Sequence, residues 1–265
     1  MEIWIPSLAR PGHAAALVDS IPERWRPHIR IACDADDVHL ESYKRQMPVG
    51  VRVHAFKEKG IAKVRQAIGE SCESSTFLML DDDITFFRRE RSDSWSLVKA
   101  TQDDVGRMLD EVWRHLMGDY CAVGIAPRQG FNTRSYKNEE NTRIIRTLGF
   151  KKKDFLECEH GRVEVMEDFD ILLQLLKKGH PNLLLTGYAQ DQTMTNMAGG
   201  CSTYRTHAVH DAAAHKLAEL HGGYVRLRQK VNKTGGAFGT RTEVTIFWKK
   251  AFNHHVRVHA TGNAA

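Results

Sequence analysis

Thr76-Phe77-Leu78-Met79-Leu80-Asp81-Asp82-Asp83-Ile84-Thr85 decides the fold: an apolar run that ends in three consecutive carboxylates. Phe77 to Leu80 has the continuous apolar character of a strand covered on both faces of a parallel sheet. The aspartates stand at its carboxyl end, the edge at which open α/β sheets bind ligands. Side chains alternate along extended chain, so Asp81 and Asp83 are expected to point the same way. Three carboxylates so close repel one another unless a cation or a proton intervenes. A hard divalent ion such as Mg²⁺ or Mn²⁺ prefers carboxylate oxygen and also bridges phosphates. The competing reading of the triplet is a solvated acidic turn.

Outward from this stretch, strand and helix alternate. Ile3-Trp4-Ile5 before Pro6, Ile29 to Cys33 before Asp34, and Val51 to Ala55 read as strands. Helices are expected at about 13–20, 35–47 and 60–71, then at 103–117, 167–178 and 210–220, where apolar residues recur at helical spacing. Cys121 to Ile125 and Asn182 to Thr186 supply two more strands, and residues 128–150 read as a long loop or a short hairpin. This order predicts an α/β fold, one domain with a doubly wound, mostly parallel sheet. The core is placed at residues 1–197 and a C-terminal extension at 198–265.

The 265 residues carry 38 Lys and Arg against 33 Asp and Glu, a net charge of +5 that permits a phosphate-bearing partner without requiring one. Arg88-Arg89-Glu90-Arg91, Lys151-Lys152-Lys153 and the segment from Arg226 to Lys233 concentrate the basic charge. No apolar stretch approaches the roughly 20 residues that span a bilayer. No basic segment followed by an apolar one opens the chain, so neither membrane partner nor export is expected, and the location expected is cytoplasmic. The five cysteines are scattered without paired metal spacing and are expected to be reduced thiols.

Three motifs in order resemble the GT-A glycosyltransferases, in particular the inverting family-2 enzymes. Gly60-Ile61-Ala62-Lys63-Val64-Arg65-Gln66 is similar to the family's Gly-x-x-x-Ala-Arg-Asn segment, with Val64 for Ala and Gln66 for Asn. Lys63 and Arg65 open a helix, whose N-terminus also favours a diphosphate; an amphipathic surface helix is the plain alternative. Asp81-Asp82-Asp83 matches the Asp-x-Asp pattern that holds a metal on a nucleotide sugar, with Asp81 and Asp83 as ligands and Asp81 and Asp82 at the donor nucleotide. Met166-Glu167-Asp168-Phe169-Asp170 resembles the family's acidic pair at a helix start. The resemblance implies Asp168 as general base with Glu167 beside it, whereas stabilisation of a helix N-terminus explains the same carboxylates without catalysis.

Pro6, Ser7 and Arg10 resemble the loop through which the family admits its nucleotide, and Asp34 is placed at its base or ribose. A late histidine often completes the metal site in such enzymes; among His207, His210, His215 and His221, His210 is preferred. The resemblance implies a UDP-sugar donor and Mn²⁺ or Mg²⁺.

The opening Ile-Pro-Ser-x-x-Arg-Pro, the Leu-Asp-Asp-Asp-Ile segment, Met166 to Asp170 and Gly199 to Arg205 look similar to compact bacteriophage-type glycosyltransferases associated with TET-like dioxygenases. That implies 5-hydroxymethylcytosine in DNA as acceptor, inside a host cell, and a base that leaves the stack. Other acceptors remain an alternative. Asp81-x-Asp83-x-Thr85 also fits the nucleophile loop of haloacid-dehalogenase-type phosphatases, with Lys152 facing the phosphate. A basic DNA-binding accessory protein without catalysis is a third reading.

Overall fold

The computed structural model describes residues 1–91, 96–128, 137–192, 206–230 and 241–254. Four parallel strands form one half of the main sheet: β1 (Glu2–Pro6), β2 (Ile29–Asp34), β3 (Arg52–Phe56) and β4 (Thr76–Leu80). Beyond them lie β5 (Ile84–Arg89), β6 (Leu97–Lys99), β7 (Ala122–Pro127), β8 (Glu139–Glu140), β9 (Thr147–Lys151) and β10 (Asn182–Gln192). The spatial order is β3-β2-β1-β4-β9-β7-β10-β5-β6, with β8 on β10. β7 and β10 are parallel to each other, while β9 runs antiparallel between β4 and β7. The sheet is therefore mixed, mostly parallel in direction.

Alternation along the strands divides the core into two layers. Ile3, Ile5, Leu78 and Leu80 face α1 (Pro11–Ser20) and α4 (Gln102–Met117), meeting Leu17, Val18, Leu109 and Val112. Trp4, Phe77 and Met79 face the other way, toward α3 (Ile61–Ser71), α5 (Lys152–Leu156) and α6 (Glu167–Lys177), meeting Ile68, Phe155 and Leu172. Both faces of β4 are thus covered, which is why its sequence is apolar without alternation. A third cluster joins Phe169, Leu173 and Leu176 of α6 to Leu217 of α7 (His207–His221) and Val225 of a separate hairpin. That hairpin is β11 (Val225–Lys230) paired antiparallel with β12 (Arg241–Ile246).

Several expectations need correction. The helix expected over 35–47 is α2, Leu40–Gln46 only. Before it, the carboxylates of Asp34 and Asp37 accept the amides of Asp36 and His39 at 2.8 Å each, closing turns that compete with helix. The 128–150 stretch, where it is described, ends in β9, a strand in the middle of the sheet rather than loop. Gly149 fits there because a Cβ would stand 3.0 Å from the Val123 carbonyl oxygen. The β5–β6 pair and α5 were not expected at all, and β10 continues six residues past Thr186 with an irregularity between Leu185 and Ala189.

Candidate functional site

The carboxyl ends of β1 and β4 bring the opening loop and the aspartate triplet together. Ser7, 7 % exposed, donates to Asp82 Oδ2 at 2.5 Å and lies 2.8 Å from the Tyr43 hydroxyl. The Arg10 amide donates to that same hydroxyl at 2.9 Å. With the Ser7 proton committed to Asp82, Tyr43 donates to Ser7, so a short chain of hydrogen bonds runs from backbone to carboxylate. The Arg10 guanidinium spans Asp82 Oδ1 at 2.5 Å and Asp83 Oδ2 at 3.2 Å. Gln192, at the end of β10, donates to Asp83 Oδ2 at 2.9 Å. Pro6 ends β1 just ahead of this network.

Arg65 links the remaining two motifs. Gly60 precedes α3 with φ of 85°, a conformation natural to glycine, and the helix then turns Arg65 inward and leaves Lys63 exposed. One arm of the Arg65 guanidinium donates to Asp81 Oδ1 at 3.0 Å and the other to Glu167 Oε1. Glu167 and Asp168 open α6, directly after Met166, whose φ of 65° is left-handed. A left-handed non-glycine residue costs of order 1–3 kcal/mol, and such residues concentrate at functional sites. Asp168 is half-buried beside the buried Glu167. The Asp81 amide is held by the carbonyl of Arg146, another left-handed residue, at 3.0 Å.

Burial sets the electrostatics. It pushes Asp82 up to about 7, against the opposing pull of Ser7 and Arg10. It likewise raises Glu167, with Arg65 opposing and Asp168 reinforcing. Asp81 is raised too, by desolvation first, with Arg65 opposing and Asp83 adding. The carboxylates of Asp81, Asp82, Asp83, Glu167 and Asp168 here outnumber by one the guanidiniums of Arg10, Arg65, Arg143 and Arg146. The region is short of positive charge.

Other expected residues lie further out. Asp34 ends β2 and pairs with Lys59, whose hydrogen bond pulls its carboxyl down. His210 lies on α7, its Nδ1 3.8 Å from Asp211. Among the described residues no three His, Cys, Asp or Glu side chains are grouped so as to hold a metal ion. Residues 199–205 lie outside the described residues. Tyr43 and Gln192 were not expected at the site; nothing in their local sequence marks them, because each arrives from a separate element. Arg146 was expected as a basic flank of the acceptor pocket, and its carbonyl instead holds the Asp81 amide.

The phosphatase alternative loses the lysine named for it. Lys152 donates to the Cys72 carbonyl at 2.5 Å, and its amide to the Ser75 carbonyl at 2.8 Å. It therefore stands at the amino end of β4, the opposite edge from Asp81. Among the described residues no helix is long and apolar enough to cross a membrane.

Comparison with known proteins gives a consistent result. The family described as TET-Associated Glycosyltransferase matches residues 1–200. A beta-glucosyl-HMC-alpha-glucosyl-transferase of Enterobacteria phage T6 is 26 % identical over 238 residues, covering 82 % of this chain and 80 % of the relative. Its counterpart from phage T2 is 24 % identical over 233 residues, with the same coverage. A mannosyltransferase from Pyrobaculum calidifontis, solved with GDP-Man and Mn²⁺, superposes with a TM-score of 0.56 at 11 % identity, covering all of this chain and 75 % of its own. A glucosyl-3-phosphoglycerate synthase from Mycobacterium tuberculosis, solved with Mn²⁺ and UDP, gives 0.53 at 8 % identity, covering 86 % and 84 %. At such identities these two structures establish the GT-A-like fold alone.

Proposed function

The chain belongs to the TET-associated glycosyltransferases, and from that premise we propose that it moves a sugar from a UDP-sugar to a hydroxyl carried by 5-hydroxymethylcytosine in DNA. The observation that carries the reading is Arg65. One guanidinium joins Asp81, at the end of β4, to Glu167, at the start of α6, so the donor side and the acceptor side of a transfer site share one rigid part. The phage relatives, named for a glucosyl-HMC acceptor, support the choice of acceptor.

The donor set suits a hard divalent ion. Asp81 and Asp83 offer carboxylate oxygen in a region short of positive charge, and ions of this kind commonly take one or two carboxylates and complete their shell with substrate phosphate and water. Asp81 and Asp83 would hold Mn²⁺ or Mg²⁺, which would neutralise charge on the departing diphosphate. Arg10 holds Asp82 and Asp83 in place and keeps a cation near the same phosphates. Ser7 and Tyr43 fix Asp82, which then braces the loop rather than facing the nucleotide. Asp168, less enclosed than Glu167, takes the proton of the acceptor hydroxyl; Glu167, fixed by Arg65, orients the helix start that presents it.

An Asp168 base implies inversion, so an α-configured UDP-hexose would give a β-linked product. The phage relatives are named for an alpha-transfer, which makes product configuration the decisive readout. The protein is incubated with Mn²⁺, a panel of UDP-sugars and DNA bearing cytosine, 5-hydroxymethylcytosine or its β-glucosylated form, and the digested nucleosides are analysed by mass spectrometry and NMR. A hexose-sized gain confined to hydroxymethylated DNA, with a β-linkage, supports the whole reading. An α-linkage removes Asp168 as an inverting base while keeping donor and acceptor. UDP release without a DNA product removes the acceptor.

A further inference from the structure

Two of the three basic clusters in the sequence are occupied structurally. Arg88 lies 3.1 Å from Asp104, Arg89 donates to the Thr186 carbonyl at 2.8 Å, and Lys151 and Lys152 donate to the carbonyls of Gly118 and Cys72. The third is different. Arg226, Arg228 and Lys230 alternate along β11, so they share one face of the two-stranded ribbon. Their cross-strand partners are Thr245, Glu243 and Arg241. Arg226, Arg228 and Lys230 are exposed, and the one carboxylate on this face, Glu243, lies 4.0 Å from Arg228 and 3.9 Å from Lys230 while also pairing with Arg241. Three cations thus surround one anion, and the Arg226 guanidinium lies 5.2 Å from the Phe247 ring. The opposite face carries Val225, Val244 and Ile246 and packs into the cluster formed by Phe169, Leu173 and Leu176 of α6.

The ribbon lies against α7, and the side chains of its apolar face reach those of the helix that begins with Glu167 and Asp168. Arg143 spans the gap between them: its guanidinium lies over the Phe169 ring at 4.6 Å, and both Asp168 and Glu243 act on its charge. Trp248, two residues past β12, meets Phe169 edge-on at 5.7 Å.

Resting on the reading of DNA as acceptor, we propose that the Arg226, Arg228, Lys230 and Arg241 face of this ribbon binds the phosphate backbone of the acceptor DNA and delivers the modified base to Asp168. Cations two residues apart on a strand are about 6.8 Å apart, the axial span of roughly two phosphates on one DNA strand. The contact reads charge and not sequence, since phosphate contacts position a protein without carrying base information.

The test is fluorescence anisotropy with a duplex containing 5-hydroxymethylcytosine across a salt series. The triple variant Arg226→Gln, Arg228→Gln, Lys230→Gln is compared with wild type and with Lys44→Gln, Arg114→Gln, Lys153→Gln, which removes the same charge from exposed positions elsewhere. Neutralising three phosphate contacts is expected to weaken binding at least tenfold and to flatten the slope of log affinity against log salt by about 2.7. The control triple is expected to keep the wild-type slope. Thermal melting establishes that both triples are folded; if the ribbon triple is not, Arg228→Gln alone is expected to flatten the slope by about 0.9. Wild-type affinity and slope in the folded ribbon variants, or equal losses in both triples, overturn the ribbon and leave the DNA acceptor standing. No salt-dependent DNA binding by wild type overturns both.

Discussion

Arg65 and Glu167, 102 positions apart in the chain, form a buried ion pair between α3 and the first residue of α6. The same guanidinium reaches Asp81 at 3.0 Å, so the pair is also the joint between the strand-end carboxylates and the acidic helix start.

Removing one partner of a buried pair leaves the other charged and uncompensated, at a cost of roughly 3–5 kcal/mol. Arg65→Leu is expected to lose about that much stability in urea unfolding. Arg65→Leu combined with Glu167→Leu is expected to regain part of it, since Asp81 still lacks its guanidinium, without turnover. Wild-type stability in the single variant would show that the pair does not hold the two motifs together.

The proposed metal ligand Asp83 and the proposed base Asp168 give separable outcomes. Asp83→Ala is expected to abolish Mn²⁺-dependent UDP binding in calorimetry. Asp168→Asn is expected to keep that binding and to lower kcat by at least the 10²-fold typical of a lost general base. Tight metal-dependent UDP binding by Asp83→Ala would end its assignment as a ligand.

The pH dependence follows from Asp82, whose folded carboxyl titrates at about 7 against an ordinary value of 3.8. The native state then binds more protons than the unfolded chain between those values. Stability from this group is complete at low pH and falls as pH rises toward 7, by at most about 1.4 kcal/mol per unit. Glu167 acts in the same direction. Burial lowers His54 and His160, so these oppose the trend below their ordinary 6.5, and the useful quantity is a difference. Asp82→Asn is expected to gain on wild type steadily from pH 4.5 to 7 and to hold a constant offset above. Parallel stability curves over that range would show that Asp82 titrates normally.

Gly124 on β7 faces the chain ahead of β9. A Cβ there would stand 1.9 Å from Ile144 Cγ2 and 2.8 Å from the Thr147 carbonyl oxygen. Gly124→Ala is expected to cost 1–3 kcal/mol, the range for overpacked cores. Donor affinity is expected to fall with it, because Arg146, which holds the Asp81 amide, lies in the displaced segment. A neutral substitution in thermal melting would contradict this packing.

The parallel half of the fold, β1 to β4, was legible because its strands are short, apolar and bounded by Pro6, Asp34 and Asp81, and because Asp-Asp-Asp after a buried strand has few structural explanations. The acidic pair at 167–168 was legible as a helix start. β9 was not, since Leu148-Gly149-Phe150 is too short to show a period and its glycine reads as a turn. Nor was the division of labour within the triplet. That Asp82 turns inward to Ser7 while Asp81 turns to Arg65 depends on α2 supplying Tyr43 and α3 supplying the guanidinium, neither of which a local reading contains.

The reversed strand β9 also imposes an order of assembly. It fills the place between β4 and β7, and both of those precede it in the chain. A chain emerging from the ribosome can zip β1 to β4 into a parallel half, but that half keeps an open hydrogen-bonding edge until Lys151 has been made. The Asp81 amide has no carbonyl to hold it until then. Synthesis that stalls in the stretch before β9 would leave β4, the most apolar strand, open to pairing between nascent chains. The strand whose arrival fixes the Asp81 amide is therefore also the one that covers the open edge of β4 in the growing protein.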